Sequence, residues 1–411
     1  MATIRPFNAV RPREDVASKV AALPYDVYNR EEALAEVLKE PLSFLKVDRA
    51  ETQFDEDFNP YDAKVYAKAR DSLQQMIKEG ILVKEGKNCY YIYELTMDGR
   101  SQTGLVGCAA IDDYLNDVIK KHEKTREDKE IDRINHVDIC DAQTGPIFLA
   151  YRSQKILNDV VDKVKKEAPL YDFVAPDGIR HTVWRINKES DIATIYLGFK
   201  NIQSIYIADG HHRAASAVKV GLKRREASPG YTGEEEFNFF LSVLFPHDQL
   251  KILDYNRVVK DLNGYSKEEF LSEITKKFVV EKIGAEPYKP AEKATYGMYL
   301  EGVWYKLTAK EEIRSNDPVE GLDVSLLQNH LLTSVLNIKD IRTDKRIEFV
   351  GGIRGLKELE KRAKSDMKLA FSMYPTSINE LFDVSDAGRL MPPKSTWFEP
   401  KLRSGLFIHL L

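Results

Sequence analysis

The chain of 411 residues and 47.0 kDa has room for two to three domains, and its 43% hydrophobic and 31% charged residues suit a folded protein, not a disordered one. Lys and Arg total 61 against 65 for Asp and Glu, and the net charge of −4 excludes nucleic-acid binding through a bulk basic field. A local anion site is still open to it. Cys89, Cys108 and Cys140 are too scattered for a disulfide framework or a zinc site, no apolar leader follows Met1, and no run approaches the ~18 apolar residues of a membrane span. A cytoplasmic multidomain protein is expected.

Asp62 to Gly80 carries Val65, Tyr66, Ala69, Leu73, Met76 and Ile77 at three-and-four spacing, which predicts a helix stopped by Gly80. Cys89 to Thr96 reads as a strand, Asp98-Gly99 as a turn and Gly104 to Ile111 as the returning strand of a hairpin. A helix is expected to start near Thr125, capped by that residue, with Ile131, Ile134 and Val137 on its apolar side. Ile147 to Tyr151 is a short buried strand after the breaker Gly145-Pro146, and Gln154 to Ala168 an amphipathic helix. Beyond the turn Pro176-Asp177-Gly178 come strands at His181 to Ile186 and Ser204 to Ala208, then a helix from Arg213 to Val220 ended by Gly221. Phe237 to Phe245 reads as a central strand. Past about residue 260, helices at Lys267 to Lys277 and Val324 to Leu336 flank strands at Thr295 to Leu300 and Val303 to Leu307. The mixture predicts an α/β (α+β mixed) protein with sub-domains 1–103, 104–260 and 261–411.

The sharpest chemical feature is Ile207-Ala208-Asp209-Gly210-His211-His212-Arg213, a buried strand that runs into Asp-Gly and opens straight into a helix. Gly210 lets the backbone approach a ligand, and the unpaired amides of a helix N-terminus attract anions. His211, His212 and Arg213 add side-chain donors, and a guanidinium grips phosphate with two parallel hydrogen bonds. Asp209 suits either a helix cap or a divalent cation held against a phosphate. A second feature, Lys121-His122-Glu123-Lys124-Thr125, is no zinc-protease motif, because Arg126 stands where a second His is required. Glu123, beside a helix start, is a candidate general base for a hydroxyl. The bland alternatives are a capped helix end and a charged surface corner. Lys394-Ser395-Thr396, after Pro392-Pro393, offers a cation and two hydroxyls in a stiffened loop. His136, His181, His247 and His409 stand singly and read as structural. The P-loop, the dinucleotide fingerprint, the protein-kinase motifs and the serine-hydrolase elbow are all absent.

Taken together, H-E-x-T (His122, Glu123, Thr125) and D-G-x-H-R (Asp209, Gly210, His212, Arg213) resemble the motifs of the ParB-like free-serine kinases. The resemblance implies a ParB/sulfiredoxin-like central domain between N- and C-terminal α/β sub-domains. It implies catalytic roles for Glu123, His212 and Asp209, and nucleotide phosphates held by Gly210, His211, His212 and Arg213. Substrate contacts are expected from His122, Thr125 and Lys394, and Mg²⁺ at Asp209. Glu123 and Asp209 lie 86 positions apart, a longer interval than in the compact kinases, with room for the helix at Gln154 to Ala168 and the strand around His181. The whole chain also resembles the bacterial domain-of-unknown-function family one-zero-one-five. The cues are Arg5-Pro6-Phe7, Leu23-Pro24-Tyr25-Asp26-Val27, Gly145-Pro146-Ile147-Phe148 and the segment MPPKSTWFEPK from Met391 to Lys401.

The expected function is a phosphotransferase that moves a phosphoryl group between a nucleotide and free L-serine or O-phosphoserine, with ADP or ATP as co-substrate and Mg²⁺ as cofactor. A phosphoserine phosphatase using the same site and a non-catalytic nucleotide-binding ParB-like switch are the alternatives. Serine's carboxylate needs a cation, for which Lys121, Lys124 and Arg126 are candidates and Lys394 a rival. Its ammonium needs an anion, Asp141 or Asp26. Small-molecule substrate and nucleotide are the expected partners, with no nucleic acid, no membrane, and a homodimer as the assembly considered.

Overall fold

Asp98 and Gly99 take left-handed φ angles of 52° and 75°, the geometry of a tight hairpin turn, and fold Tyr90–Met97 against Arg100–Ala110. In the computed structural model, which describes residues 1–411, this hairpin lies within a nine-stranded mixed sheet. The strand order is Ile119–Lys120, Ile205–Asp209, Ile147–Tyr151, Phe239–Pro246, Arg100–Ala110, Tyr90–Met97, Arg180–Ile186 and Tyr171–Val174, with Ile4–Arg5 paired to the far end of Arg100–Ala110. Phe239–Pro246 is buried along its whole length and runs parallel to Ile147–Tyr151 and antiparallel to Arg100–Ala110. It is the central strand the sequence predicts. The α/β class is likewise what the chain forms.

Two helices pack on this sheet. Leu157, Val160 and Val164 of the helix Lys155–Val164 and Ile195 and Phe199 of Glu189–Lys200 share a core with Leu149, Tyr151, Ile205 and Ile207 of the strands. A second core gathers Val65, Ala69, Leu73 and Met76 of the helix Ala63–Lys78 with Phe44, Val47, Cys140 and Ile408. Asp62 caps that helix by accepting from the Lys64 amide at 2.8 Å, and Gly80 follows it with φ of 70°.

The chain divides into two compact units, the first made of 1–121, 125–250 and 400–411, the second of 122–124 and 251–399. Residue 104, where a sub-domain boundary was expected, lies inside the strand Arg100–Ala110, and the second unit's main segment opens at Lys251. That unit is built on a six-stranded sheet in the order Phe278–Gly284, Val303–Ala309, Thr295–Leu300, Leu369–Met373, Tyr255–Val259 and Ile347–Gly351. No helix in either unit is long and apolar enough to cross a membrane.

Three local expectations are corrected. Arg126, not Thr125, occupies the N-cap of the helix Glu127–Cys140, and the Thr125 hydroxyl instead donates to Glu130. Ile131 of that helix is exposed, while Asp132, Arg133 and His136 are buried, so the charged side faces inward. The segment read as a helix from Val324 to Leu336 is a short α-helix, Asp323–Leu327, continued as a wider turn through Gln328–Thr333.

Gly221 does not end its helix, which runs on from His211 to Ala227. A Cβ at this position would stand 2.5 Å from the Phe237 carbonyl oxygen and 2.7 Å from Ile111 Cδ1, so the glycine permits close helix packing. Gly221→Ala would gain at most about 1 kcal/mol of helix propensity and lose roughly 1–3 kcal/mol to overpacking against backbone. The expected result is a net lower melting temperature, measured by circular dichroism.

In the second unit, burial pushes the Asp323 carboxyl up to about 7, although the Ala294 amide donates to its two oxygens at 2.9 and 3.0 Å. A carboxyl raised in the folded state contributes stability that is present below its unfolded value and lost as pH rises through about 7. Asp323→Asn keeps an oxygen for the Ala294 amide and cannot ionise. Its melting temperature should exceed the wild type's at pH 8 and converge with it near pH 4.

Candidate functional site

The strand Ile205–Asp209 and the 17-residue helix His211–Ala227 meet at Gly210, whose φ of 92° only glycine adopts without strain. The first intrahelical bond is made by the Ala214 amide to the Gly210 carbonyl, so the amides of His211, His212 and Arg213 lie ahead of the helix's own hydrogen-bond ladder. The corner is therefore built as the sequence predicts, though it begins two residues earlier than the helix assigned from Arg213.

Asp209 accepts from the Gly210 amide at 2.9 Å and from Lys401 Nζ at 3.1 Å. Burial alone would raise its carboxyl, but Lys401, Arg213 and His211 outweigh that and hold it well below the usual carboxylate range. Arg213 folds back along the corner. Its Nη1 donates to the Pro146 carbonyl at 2.6 Å, and a Cβ on Gly210 would stand 3.2 Å from its Nε. Its position leaves Nε and Nη2 as further donors beside the helix end.

His212 receives the Arg126 amide on Nε2 at 3.0 Å, which assigns the ring proton to Nδ1. Burial lowers its pKa, more than Glu130 and Asp26 raise it, so the ring is a neutral donor at neutral pH. The backbone just after H-E-x-T is thus anchored to the histidine of D-G-x-H-R. Thr125 is committed to Glu130, which also takes Lys219. His211 is buried beneath the corner.

The remaining candidates fall in the second unit. His122 is buried there and its carbonyl accepts from the Met391 amide at 2.8 Å, which joins His122-Glu123-Lys124 to the start of the MPPKSTW segment. Lys394 has φ of 60°, its carbonyl accepts from Arg257 Nη2 at 3.0 Å, and its ammonium lies 5.7 Å from the Tyr255 ring centroid.

Sequence reasoning missed a cavity next to Arg213 in which a few charged side chains stand among apolar ones. It is open to solvent, spans about 470 Å³ with the solvent at its mouth included, and is walled by Tyr25, Asp48, Arg133, Thr144, Gly145 and Ser404 together with apolar side chains. A signal was present: Tyr25 belongs to Leu23-Pro24-Tyr25-Asp26-Val27 and Gly145 to Gly145-Pro146-Ile147-Phe148, both segments that carry the family resemblance. Asp48 and Arg133 had none, since each sits among other charges in a helical stretch and reads as solvated surface.

A mixed α/β unit whose strand-to-helix corner presents amides, a neutral imidazole and a guanidinium defines a candidate anion-binding protein. The chain belongs to the family described as "Protein of unknown function (DUF1015)", which matches residues 4–325. No curated protein matches it. Among solved structures it is similar to a free serine kinase variant in complex with AMP, at 17% identity and a TM-score of 0.37, covering 74% of this chain and 92% of that one. It is similar also to a conserved hypothetical protein from Pyrococcus furiosus, at 17% identity and a TM-score of 0.35, covering 75% and 95%. A third is a C-terminally truncated SbnI from Staphylococcus aureus, at 12% identity and a TM-score of 0.40, covering 74% and 87%. Superpositions this loose carry no argument about chemistry.

A histidine lowered in the folded state contributes stability that is present above its unfolded value near 6.5 and lost as pH falls. Protonated His212 can no longer accept from Arg126. NMR should show the Nδ1–H tautomer at pH 7 and a titration midpoint below the ordinary histidine value. A midpoint at or above that value would contradict the Arg126 contact.

Proposed function

We propose that this chain is a small-molecule phosphotransferase that moves a phosphoryl group between a nucleotide and free L-serine, with a ParB-like core. The geometry of the Asp209 to Arg213 corner carries the reading: a glycine-opened helix N-terminus with Arg213 and a neutral Nδ1–H donor on His212 suits the spread negative charge of a phosphoryl group in transfer. The pairing of that corner with H-E-x-T supplies the second element.

In the forward direction the Glu123 carboxylate takes the proton of the serine hydroxyl as its oxygen bonds to the terminal phosphorus. The bond from that phosphorus to the bridging oxygen breaks, and the shortened nucleotide leaves with the electron pair. His212, Arg213 and the first-turn amides stabilise the equatorial oxygens. Arg126, whose amide holds His212, stands three positions after Glu123, and three steps of chain span at most about 11 Å. That tether supports a base within reach of the corner.

No group of three His, Cys, Asp or Glu side chains is gathered for a resident metal ion. The single carboxylate of Asp209, anionic and about a third exposed, fits instead a Mg²⁺ that arrives with the nucleotide. Such an ion neutralises phosphate charge, and Lys401 would yield one Asp209 oxygen to it.

The test incubates the purified full chain with Mg²⁺, L-serine and ADP or ATP, and in reverse with O-phosphoserine and AMP or ADP, with products read by mass spectrometry. Phosphoserine is expected, and Glu123→Gln should lower turnover about 10²- to 10⁴-fold with nucleotide affinity unchanged by calorimetry. Inorganic phosphate released from phosphoserine without any nucleotide would overturn the transferase in favour of a phosphatase. Failure to bind nucleotide would remove both.

A further inference from the structure

Resting on the phosphotransferase reading, we infer that the cavity beside Arg213 is the pocket for the free amino acid, with Arg133 taking its carboxylate and Asp48 its ammonium. Arg133 is 8% exposed and Asp48 only 4%, and charges removed this far from water are costly unless something answers them. Arg133 sets Nε and Nη2 on Asp132 at 3.0 and 2.8 Å and lays its face 4.0 Å from the Tyr25 ring centroid, and Nη1 takes no part in that pair. Asp48 accepts from Thr144 Oγ1 at 2.7 Å on Oδ1, and Oδ2 is outside that bond.

The charges around the cavity select the ligand class. Asp132 offsets Arg133. Burial and the nearby Arg133 lower the His136 pKa and keep that ring neutral, and burial pushes the Tyr25 phenol up to about 12. The lining itself still presents both signs, Arg133 and Arg213 as cations and Asp48 as the anion. A phosphate dianion would meet Asp48, and a polyamine would meet Arg213 as well as Arg133. A zwitterion matches both signs.

Arg213 links this pocket to the phosphate corner. A Cβ on Gly145 would stand 3.6 Å from its Nη1 and one on Gly210 3.2 Å from its Nε, so the guanidinium borders the cavity and the helix end together. An amino acid fixed at its two charged ends turns a short hydroxylated side chain toward Arg213. The charges expected from sequence are poorer candidates. Asp141 is 62% exposed and paired with Arg224, Arg126 is 67% exposed and paired with Asp128, and Asp26 is exposed. Water competes for groups in such positions.

Calorimetry on the full chain tests the assignment with L-serine, with ethanolamine, which lacks the carboxylate, and with 3-hydroxypropionate, which lacks the ammonium. Serine should bind, and each analogue should bind at least tenfold more weakly. Asp48→Asn and Arg133→Lys, their folding checked by melting, should weaken serine about 10- to 100-fold while Asp48→Asn leaves ADP affinity unchanged. Equal binding of the analogues to wild type overturns the pocket even if both variants fail to fold, as does unchanged serine binding in either folded variant. If Asp48→Asn transfers phosphate with an unaltered KM for serine, the pocket falls and the reaction stands. Selective serine binding with no phosphoryl transfer leaves the pocket standing and removes the reaction.

Discussion

Asp209 joins a strand end, a helix start and the C-terminal segment of the chain, because its carboxylate accepts from the Gly210 amide and from Lys401. The arrangement has an electrostatic logic. An anion at a helix N-terminus is favoured by the helix dipole, and Lys401 and Arg213 keep it ionised despite burial. With Asp209 anionic, Arg213 is drawn back across Gly210 toward the Pro146 carbonyl, and the loop Gly145-Pro146 is held against the corner. Pro146 and Lys401, from two of the segments that carry the family resemblance, therefore meet one ion cluster even though they lie far apart in sequence.

The helix Glu127–Cys140 shows where this protein departs from the usual rule that helices bury their apolar stripe. It turns Asp132, Arg133 and His136 inward and leaves Ile131 in solvent. Tyr66 donates to Asp132 at 3.0 Å and the Val47 carbonyl lies 3.1 Å from His136 Nε2, so the buried polar groups of this face are answered from other elements. A buried charged face of this kind costs stability that an apolar one would supply. Such a face persists in a fold where it is needed for a site.

That same helix marks the limit of what was legible from sequence. Strong period-two and period-3.6 patterns named the hairpin at Asp98-Gly99, the central strand Phe239–Pro246 and the helices Ala63–Lys78 and Lys155–Val164 to within a few residues. The corner at Gly210 was legible because its donors are contiguous. The cavity was not, since Asp48, Arg133 with Thr144, and Ser404 come from three distant regions of the chain and become neighbours only through tertiary packing. Gly221 misled for a related reason: glycine stops a helix by local conformation, but here it serves a non-local contact with Phe237 and Ile111. Lys394 was singled out for its local loop chemistry, and it belongs to the second unit with its carbonyl bonded to Arg257.

The order of the chain has a bearing on how the protein is made. The first unit is interrupted after Leu250 and completed only by residues 400–411, which carry Arg403, Ser404 and Ile408 into its buried interior. Arg403 Nε donates to His181, and Ile408 exchanges backbone bonds with Val10, so the segment at Val10 waits for one made much later. At ordinary elongation rates, the intervening segment takes on the order of ten to thirty seconds to synthesise. Throughout that interval the nascent first unit carries an open seam along Val10 and lacks the lysine that neutralises Asp209. Its native closure thus depends on residues 400–411 reaching partners made far earlier in the chain.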